Sequence, residues 1–122
     1  MSNASAREYA ESIAAEIRQN VKNGTPFGVV SDDNPATDRE NGEELDAFDW
    51  LEGVLDIQYL VNSDRTYSAA RVCIAFGGPA AWIDTRTGML ECAWWSAVES
   101  VELPGEFIDA LDDALSEMYG DY

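Results

Sequence analysis

Residues 66–95, TYSAARVCIAFGGPAAWIDTRTGMLECAWW, decide the fold. β-Branched, aromatic and small apolar residues fill three runs in this stretch, and the turn-forming GGP and TRTG segments separate them. The preceding DIQYLVN also alternates apolar with other side chains, and SDR follows it as a turn. Short turns between consecutive runs favour antiparallel neighbours. The sequence therefore predicts a four-stranded antiparallel meander, with Gly88 suited to a left-handed turn position.

Helical periodicity flanks the strand region on both sides. Apolar residues recur at helical spacing between Ala10 and Val21, before a stop at Gly24, and again from Phe107 to Met118 after Pro104. A short second helix is predicted within ELDAFDWLEGVLD, ending near Gly53. We expect one α+β domain over residues 1–122, with an N-terminal helix, a short second helix, a C-terminal acidic amphipathic helix and a flexible acidic loop at about 31–44.

The formal charge of −17 is concentrated in two segments. Residues 32–56 hold ten acidic side chains with only Arg39 to offset them, and residues 99–122 hold eight with no lysine or arginine. A field of this kind repels nucleic acids and membrane surfaces and attracts basic protein surfaces. The predicted partner is therefore a basic protein surface, such as that of a nucleic-acid-binding protein, rather than nucleic acid itself or a membrane.

The absence of histidine removes the most common general base and metal ligand. An EF-hand alignment on Gly42 fails because Thr37 and Arg39 fall at ligand positions. Cys73 and Cys92 lie in apolar runs and are expected to be buried thiols of a cytoplasmic protein, since no signal peptide or membrane-spanning run is present. We expect no catalytic residues, metal or cofactor, with carboxylate-based catalysis and a looser divalent-cation site left as alternatives.

Acidic side chains of the C-terminal helix form a stripe opposite its apolar face: Glu106, Asp109, Asp113 and Glu117. A second acidic patch is predicted in the loop: Asp32, Asp33, Asp38, Glu43 and Glu44. Like charges at helical spacing cost about 0.2–0.5 kcal/mol per pair. Such a row can present itself to a protein groove as a phosphate backbone does, which is the DNA-mimic hypothesis. The alternative is an acidic face that only keeps the protein soluble.

Three tryptophans of the strand region are candidate interface aromatics: Trp82, Trp94 and Trp95. Neighbouring residues of a strand point to opposite faces, so Trp94 and Trp95 cannot both enter one core unless a bulge intervenes. One of them is then exposed, or covered by a helix or a partner chain. This pattern supports a competing function, a small structural or self-associating module that forms a homodimer through its aromatics.

The segment CIAFGGPAAWIDTRTGMLECAWW, followed by an acidic helix, carries a shared pattern of GGP, an aromatic before I-D/N-T, and a strand with E-x-x-W-W. Its positions are Gly77, Gly78, Pro79, Trp82, Ile83, Asp84, Thr85, Glu91, Trp94 and Trp95. This half of the chain resembles a family of small acidic proteins from bacterial phages and conjugative elements, although its members often have Asn where this chain has Ala80. The resemblance implies a mobile-element setting, in which acidic proteins that block restriction or CRISPR nucleases recur, and no particular activity.

Overall fold

The computed structural model describes residues 3–31, 40–77, 79–94 and 97–120. Its helices are α1 (Asn3–Lys22), α2 (Ala47–Leu51) and α3 (Gly105–Gly120), and its strands are β1 (Asp56–Val61), β2 (Tyr67–Ala75), β3 (Ala80–Asp84), β4 (Met89–Trp94) and β5 (Ala97–Glu102). The strands form one antiparallel sheet in chain order. The predicted α+β class and three helices are confirmed. None of the described helices has the length and apolar character needed to cross a membrane.

The predicted strand number is wrong, because the sheet has five strands rather than four. The fifth strand, AVESVE, has a two-residue period in which Ala97 and Val101 are buried and Val98 is exposed. Glu99 occupies an inward position between them, so the apolar alternation is interrupted in the sequence. An ion pair with Arg7 of α1, at 3.6 Å, compensates this carboxylate.

The helices pack on one face of the sheet. One row of apolar side chains crosses all five strands on that face: Ile57, Val72, Ile83, Leu90 and Val101. Helix α1 contacts β4 and β5 through a face of small residues that includes Ala10 and Ala14, while α3 lies on β2 and also contacts α2. Short side chains on α1 let its backbone approach the sheet closely. The antiparallel sheet thus has its main core on one side.

The two cysteines point to opposite faces of the sheet. Cys73 pairs with Trp82 across β2 and β3, whereas Cys92 pairs with Ala81 across β3 and β4. Since Ala81 and Trp82 are consecutive, their cross-strand partners lie on different faces. Both thiols are free and buried, and burial raises the pKa of Cys92 to about 11. The expectation of buried thiols is confirmed, and Cys92 is protonated at neutral pH.

Residues 28–30 and 42–45 hold the stems of the acidic loop together. Val30 and Glu43 share a backbone hydrogen bond of 2.8 Å, and Leu45 donates to Gly28 at 3.0 Å. Helix α2 then begins with a capping box, in which the Asp46 side chain accepts from Asp49 N and the Asp49 side chain accepts from Asp46 N. The last part of the predicted loop is therefore fixed against the segment that follows α1.

Three aromatic rings join α3 to α2 and to the segment after α1. The Phe107 ring is fully buried, with its centroid 5.0 Å from that of Phe27 and 5.6 Å from that of Trp50. The Phe107 and Trp50 rings meet edge to face at 86°, a geometry that the ring quadrupoles favour. This cluster fixes the distance between α3 and the acidic loop stems.

Tyrosines fix the opposite side of α3 to β1 and β2. The Tyr67 hydroxyl donates to Asp112 Oδ1 at 2.6 Å, and the Tyr119 hydroxyl donates to the carbonyl of Arg65 at 2.8 Å. Burial, followed by the hydrogen bond to Asp112, raises the pKa of Tyr67 well above its usual value. These contacts leave Asp112 turned to the sheet while the other acids of α3 face outward.

Substituting Tyr67→Phe is expected to lower the free energy of unfolding by about 1–2 kcal/mol, because the half-buried Asp112 carboxylate loses a donor that it has in the folded state. Urea denaturation at neutral pH measures the change. Tyr119→Phe is the matched control, since it removes one hydroxyl bonded to an exposed backbone carbonyl and should cost less. An equal or larger loss in Tyr119→Phe would contradict the assigned importance of the Asp112 contact.

Candidate functional site

The four predicted stripe acids all lie on the solvent side of α3. Glu106, Asp109, Asp113 and Glu117 are exposed, whereas Phe107, Leu111 and Leu115 on the other side are buried. The first acid and the last are eleven positions apart, which corresponds to about 16 Å along a helix axis. Helix α3 therefore carries a linear row of carboxylates, which we call the acidic stripe.

The acidic stripe forms no ion pair in the described part of the chain. No arginine or lysine there comes within ion-pair distance of its four carboxylates. The described cations that form ion pairs do so elsewhere: Arg7 and Arg18 on α1 share Glu11, and Arg71 pairs with Glu91 on the sheet. The last turn of α3 also contains no basic residue to offset the helix dipole. The charge of the stripe is thus directed to solvent.

The end of the acidic loop meets the acidic stripe across a groove. This groove, of about 400 Å³, lies between the stretch 44–48 and one flank of α3. Its rims carry Glu44 and Asp46 on one side and Asp113 and Glu117 on the other. The described residues Glu44 and Asp46 of the first anionic segment are therefore neighbours of α3. We call this feature the acidic groove.

Apolar residues form the floor of the acidic groove, and of these Phe48 is exposed, Ala110 is half-buried and the others are buried: Phe27, Leu45, Ala47, Phe48, Ala110 and Ala114. Phe48 is 42% exposed, so part of its ring is open to solvent at the groove. Helix α2 has only one buried face, which Ala47 and Leu51 occupy at a spacing of four residues, so Phe48 is left at its edge. Phe48 falls within the predicted second helix, and the sequence pattern does not identify it as a surface residue.

The structure places only part of the predicted second patch. Glu43 and Glu44 are exposed, and the Glu43 side chain accepts a hydrogen bond from the Glu40 backbone N–H at 2.8 Å. The predicted residues Asp32, Asp33 and Asp38 lie outside the described residues. Asp46 is not among the residues predicted for the patch, yet it is exposed and lines the acidic groove. The described part of the patch therefore borders α3.

The described tryptophans of the strand region have intramolecular partners. Trp94 lies on the helix side of the sheet, where its ring meets Tyr9 of α1 edge to face at 6.1 Å. Trp82 lies on the other face beneath the Arg71 guanidinium, which is 5.0 Å from the ring centroid and also pairs with Glu91. Both rings are half-buried, and Trp95 lies outside the described residues. Trp82 is the described candidate on the face that the helices do not cover.

A second cavity, of about 660 Å³, lies between α1, the segment 26–31 and α2. Tyr9, Ile13 and Trp50 contribute apolar surface to it, and Glu16 and Asp49 contribute carboxylates. Within the described ranges, no group of three or more cysteine or acidic side chains has a geometry that could hold a metal ion. Phe27 lines both cavities, so the larger cavity lies next to the acidic groove. Its two carboxylates extend the anionic surface beyond the groove.

Comparisons of the chain with protein-family models, with curated proteins and with solved structures found no match. The charge and geometry of the acidic stripe and the acidic groove therefore supply the basis for a functional proposal.

Proposed function

We propose that this protein is a non-enzymatic binding protein that occupies the basic surface of a nucleic-acid-binding protein, in the manner of a DNA mimic. The observation that carries the proposal is the acidic stripe of four exposed carboxylates, none of which forms an ion pair in the described part of the chain. Lysine and arginine side chains that neutralise phosphates in a DNA complex would contact these carboxylates instead. The acidic groove extends the same anionic surface toward residues 44 and 46.

The placement of charge on α3 supports binding over solubility alone. Glu117 lies in the last turn of α3, where the helix dipole disfavours an acid by roughly 0.3–1 kcal/mol at low salt, and Asp113 lies one turn before it with no cation to pair with among the described residues. A solubilising face has no need of this arrangement, since α1 is also exposed yet carries acids and arginines that pair with one another. Residues that lower local stability are often found at functional sites, which fits a binding role for α3.

The resemblance of the C-terminal half to proteins of phages and conjugative elements supports a choice of partner. Nucleases that attack foreign DNA have basic clefts, and a mobile element benefits when those clefts are filled. A restriction or CRISPR nuclease is therefore the class of partner that we propose. The self-associating module is the less favoured function, because Trp94 contacts Tyr9 and Trp82 contacts Arg71 within the same chain.

Capture from a bacterial lysate with the immobilised protein at low salt, followed by elution with duplex DNA, tests the proposal. We expect nucleic-acid-binding proteins on the matrix, released both by DNA and by raising the salt concentration, because each competes for the same charges. The proposal would be contradicted if no nucleic-acid-binding protein were captured, or if DNA could not displace the captured proteins. Sedimentation at low and high salt tests self-association, since an aromatic dimer should persist at high salt.

A further inference from the structure

The acidic groove differs from the rest of the anionic surface because it combines rim carboxylates with an apolar floor on which the Phe48 ring is exposed. Two of the rim carboxylates come from α3 and two from the stretch 44–46, while Phe48, Ala110 and Ala114 lie between the rims. Carboxylates can mimic phosphates, but an exposed phenylalanine does not contribute to that mimicry. The floor therefore requires a different explanation from the stripe.

We infer that the acidic groove binds a basic amphipathic helix of the partner protein, with one or two bulky apolar side chains on the floor and lysine or arginine on both sides. This inference rests on the proposed function and specifies which element of the partner is recognised. Charge complementarity favours this occupant, since both rims of the groove are anionic. A partner helix with cations on each side of a narrow apolar stripe can contact both rims at once. Grooves with an apolar floor commonly receive a helix in this way.

The position of Phe48 gives the groove an anchor point. Phe48 lies on the capped helix α2, which follows the hydrogen-bonded loop stems, so its backbone is fixed before a partner arrives. Residues Leu45 and Ala47 beside it are buried in the core and hold α2 in place. Aromatic residues, phenylalanine among them, are enriched at the core of protein interfaces. A second copy of this chain is disfavoured as occupant, because its own strongly negative charge would face two anionic rims.

Two synthetic peptides of about four helical turns serve as probes. Both peptides carry the same number of lysines. One, the leucine peptide, has leucines along a single helical face, and the other, the serine peptide, has serines at the same positions. We expect the leucine peptide to bind about tenfold more tightly at physiological salt by calorimetry, since the apolar floor adds to the electrostatic attraction. Equal affinities for the two peptides would overturn the inference.

Variants of the groove separate its floor from its charge. The floor variants are Phe48→Ser and Ala110→Gln, and the second places a longer side chain on the floor. Each should lower the affinity for the leucine peptide about tenfold and leave the affinity for the serine peptide unchanged. Val98→Ser is the matched control, because Val98 is 62% exposed on the sheet and does not line the groove. Retained binding of the leucine peptide by both floor variants, with thermal unfolding that shows them folded, would also overturn the inference.

The two proposals fail in distinguishable ways. If both peptides bind equally and salt weakens both, the groove has no preference for an apolar anchor, while the acidic surface still binds cations. If neither peptide binds, the helix-in-groove inference fails, and DNA-displaceable capture from the lysate decides the proposed function separately. Loss of DNA-displaceable capture together with preferential leucine-peptide binding would indicate a groove for a basic helix that is unrelated to nucleic-acid mimicry.

Discussion

Replacing Phe107 with alanine is expected to lower the free energy of unfolding by about 3–5 kcal/mol. Phe107 is fully buried and contacts the rings of Phe27 and Trp50, so truncation removes the apolar contacts of a large side chain and leaves a cavity where three segments meet. The measurement is chemical denaturation at neutral pH. Because the cluster links α3 to α2 and to the segment after α1, amide exchange should also accelerate at Leu45 and Val30.

Phe76→Ala provides the control for this change. The same side chain is removed there, but Phe76 is 75% exposed, so the free energy of unfolding should change by no more than about 0.5 kcal/mol. Phe107→Leu retains much of the apolar volume and should cost about 1 kcal/mol, which keeps the comparison measurable if the alanine variant does not fold. Similar losses in Phe107→Ala and Phe76→Ala would show that the aromatic cluster does not hold the fold together.

Local sequence signals specify most of the architecture. The alternation and turn residues of the segment from Asp56 to Trp94 correctly indicate four strands, and Gly88 adopts the left-handed conformation expected for its turn. The apolar spacing of α1 and α3 likewise indicates which faces they bury. Strand β5 escapes detection because Glu99 takes an inward position, and only its tertiary partner Arg7 makes that position acceptable. Local periodicity contains no information about an ion pair between distant segments.

Only part of the candidate site can be predicted from the sequence. The acidic stripe follows from helical geometry alone, since residues three and four positions apart share a face. The acidic groove does not, because Asp46 and Phe48 approach Asp113 only through the packing of α2 against α3 and the bonding of the loop stems to residues 28–30. A capping box was detectable at Asp46 and Asp49, and it would have located the start of α2 and hence the edge position of Phe48.

Reversing the charge of the acidic stripe should separate stability from binding. The variant carries lysine at four positions: Glu106, Asp109, Asp113 and Glu117. We expect its affinity for a DNA-displaceable partner to fall on the order of a hundredfold or more at low salt, because close opposite charges become like charges. Its free energy of unfolding should change by no more than about 0.5 kcal/mol, because lysine at position 117 suits the C-terminal end of the helix dipole whereas lysine at position 106 replaces the favourable acid of the first turn.

A control with the same change in net charge distinguishes the stripe from the overall field. It carries lysine at four exposed acids outside α3 and the acidic groove: Glu8, Glu16, Asp56 and Glu102. Because long-range attraction is screened within about 8 Å at physiological ionic strength, this control should slow association at low salt but retain most of its affinity at physiological salt. Equal loss of affinity in both variants at physiological salt would mean that the partner responds to net charge alone, and the carboxylates of α3 would then have no special part in binding.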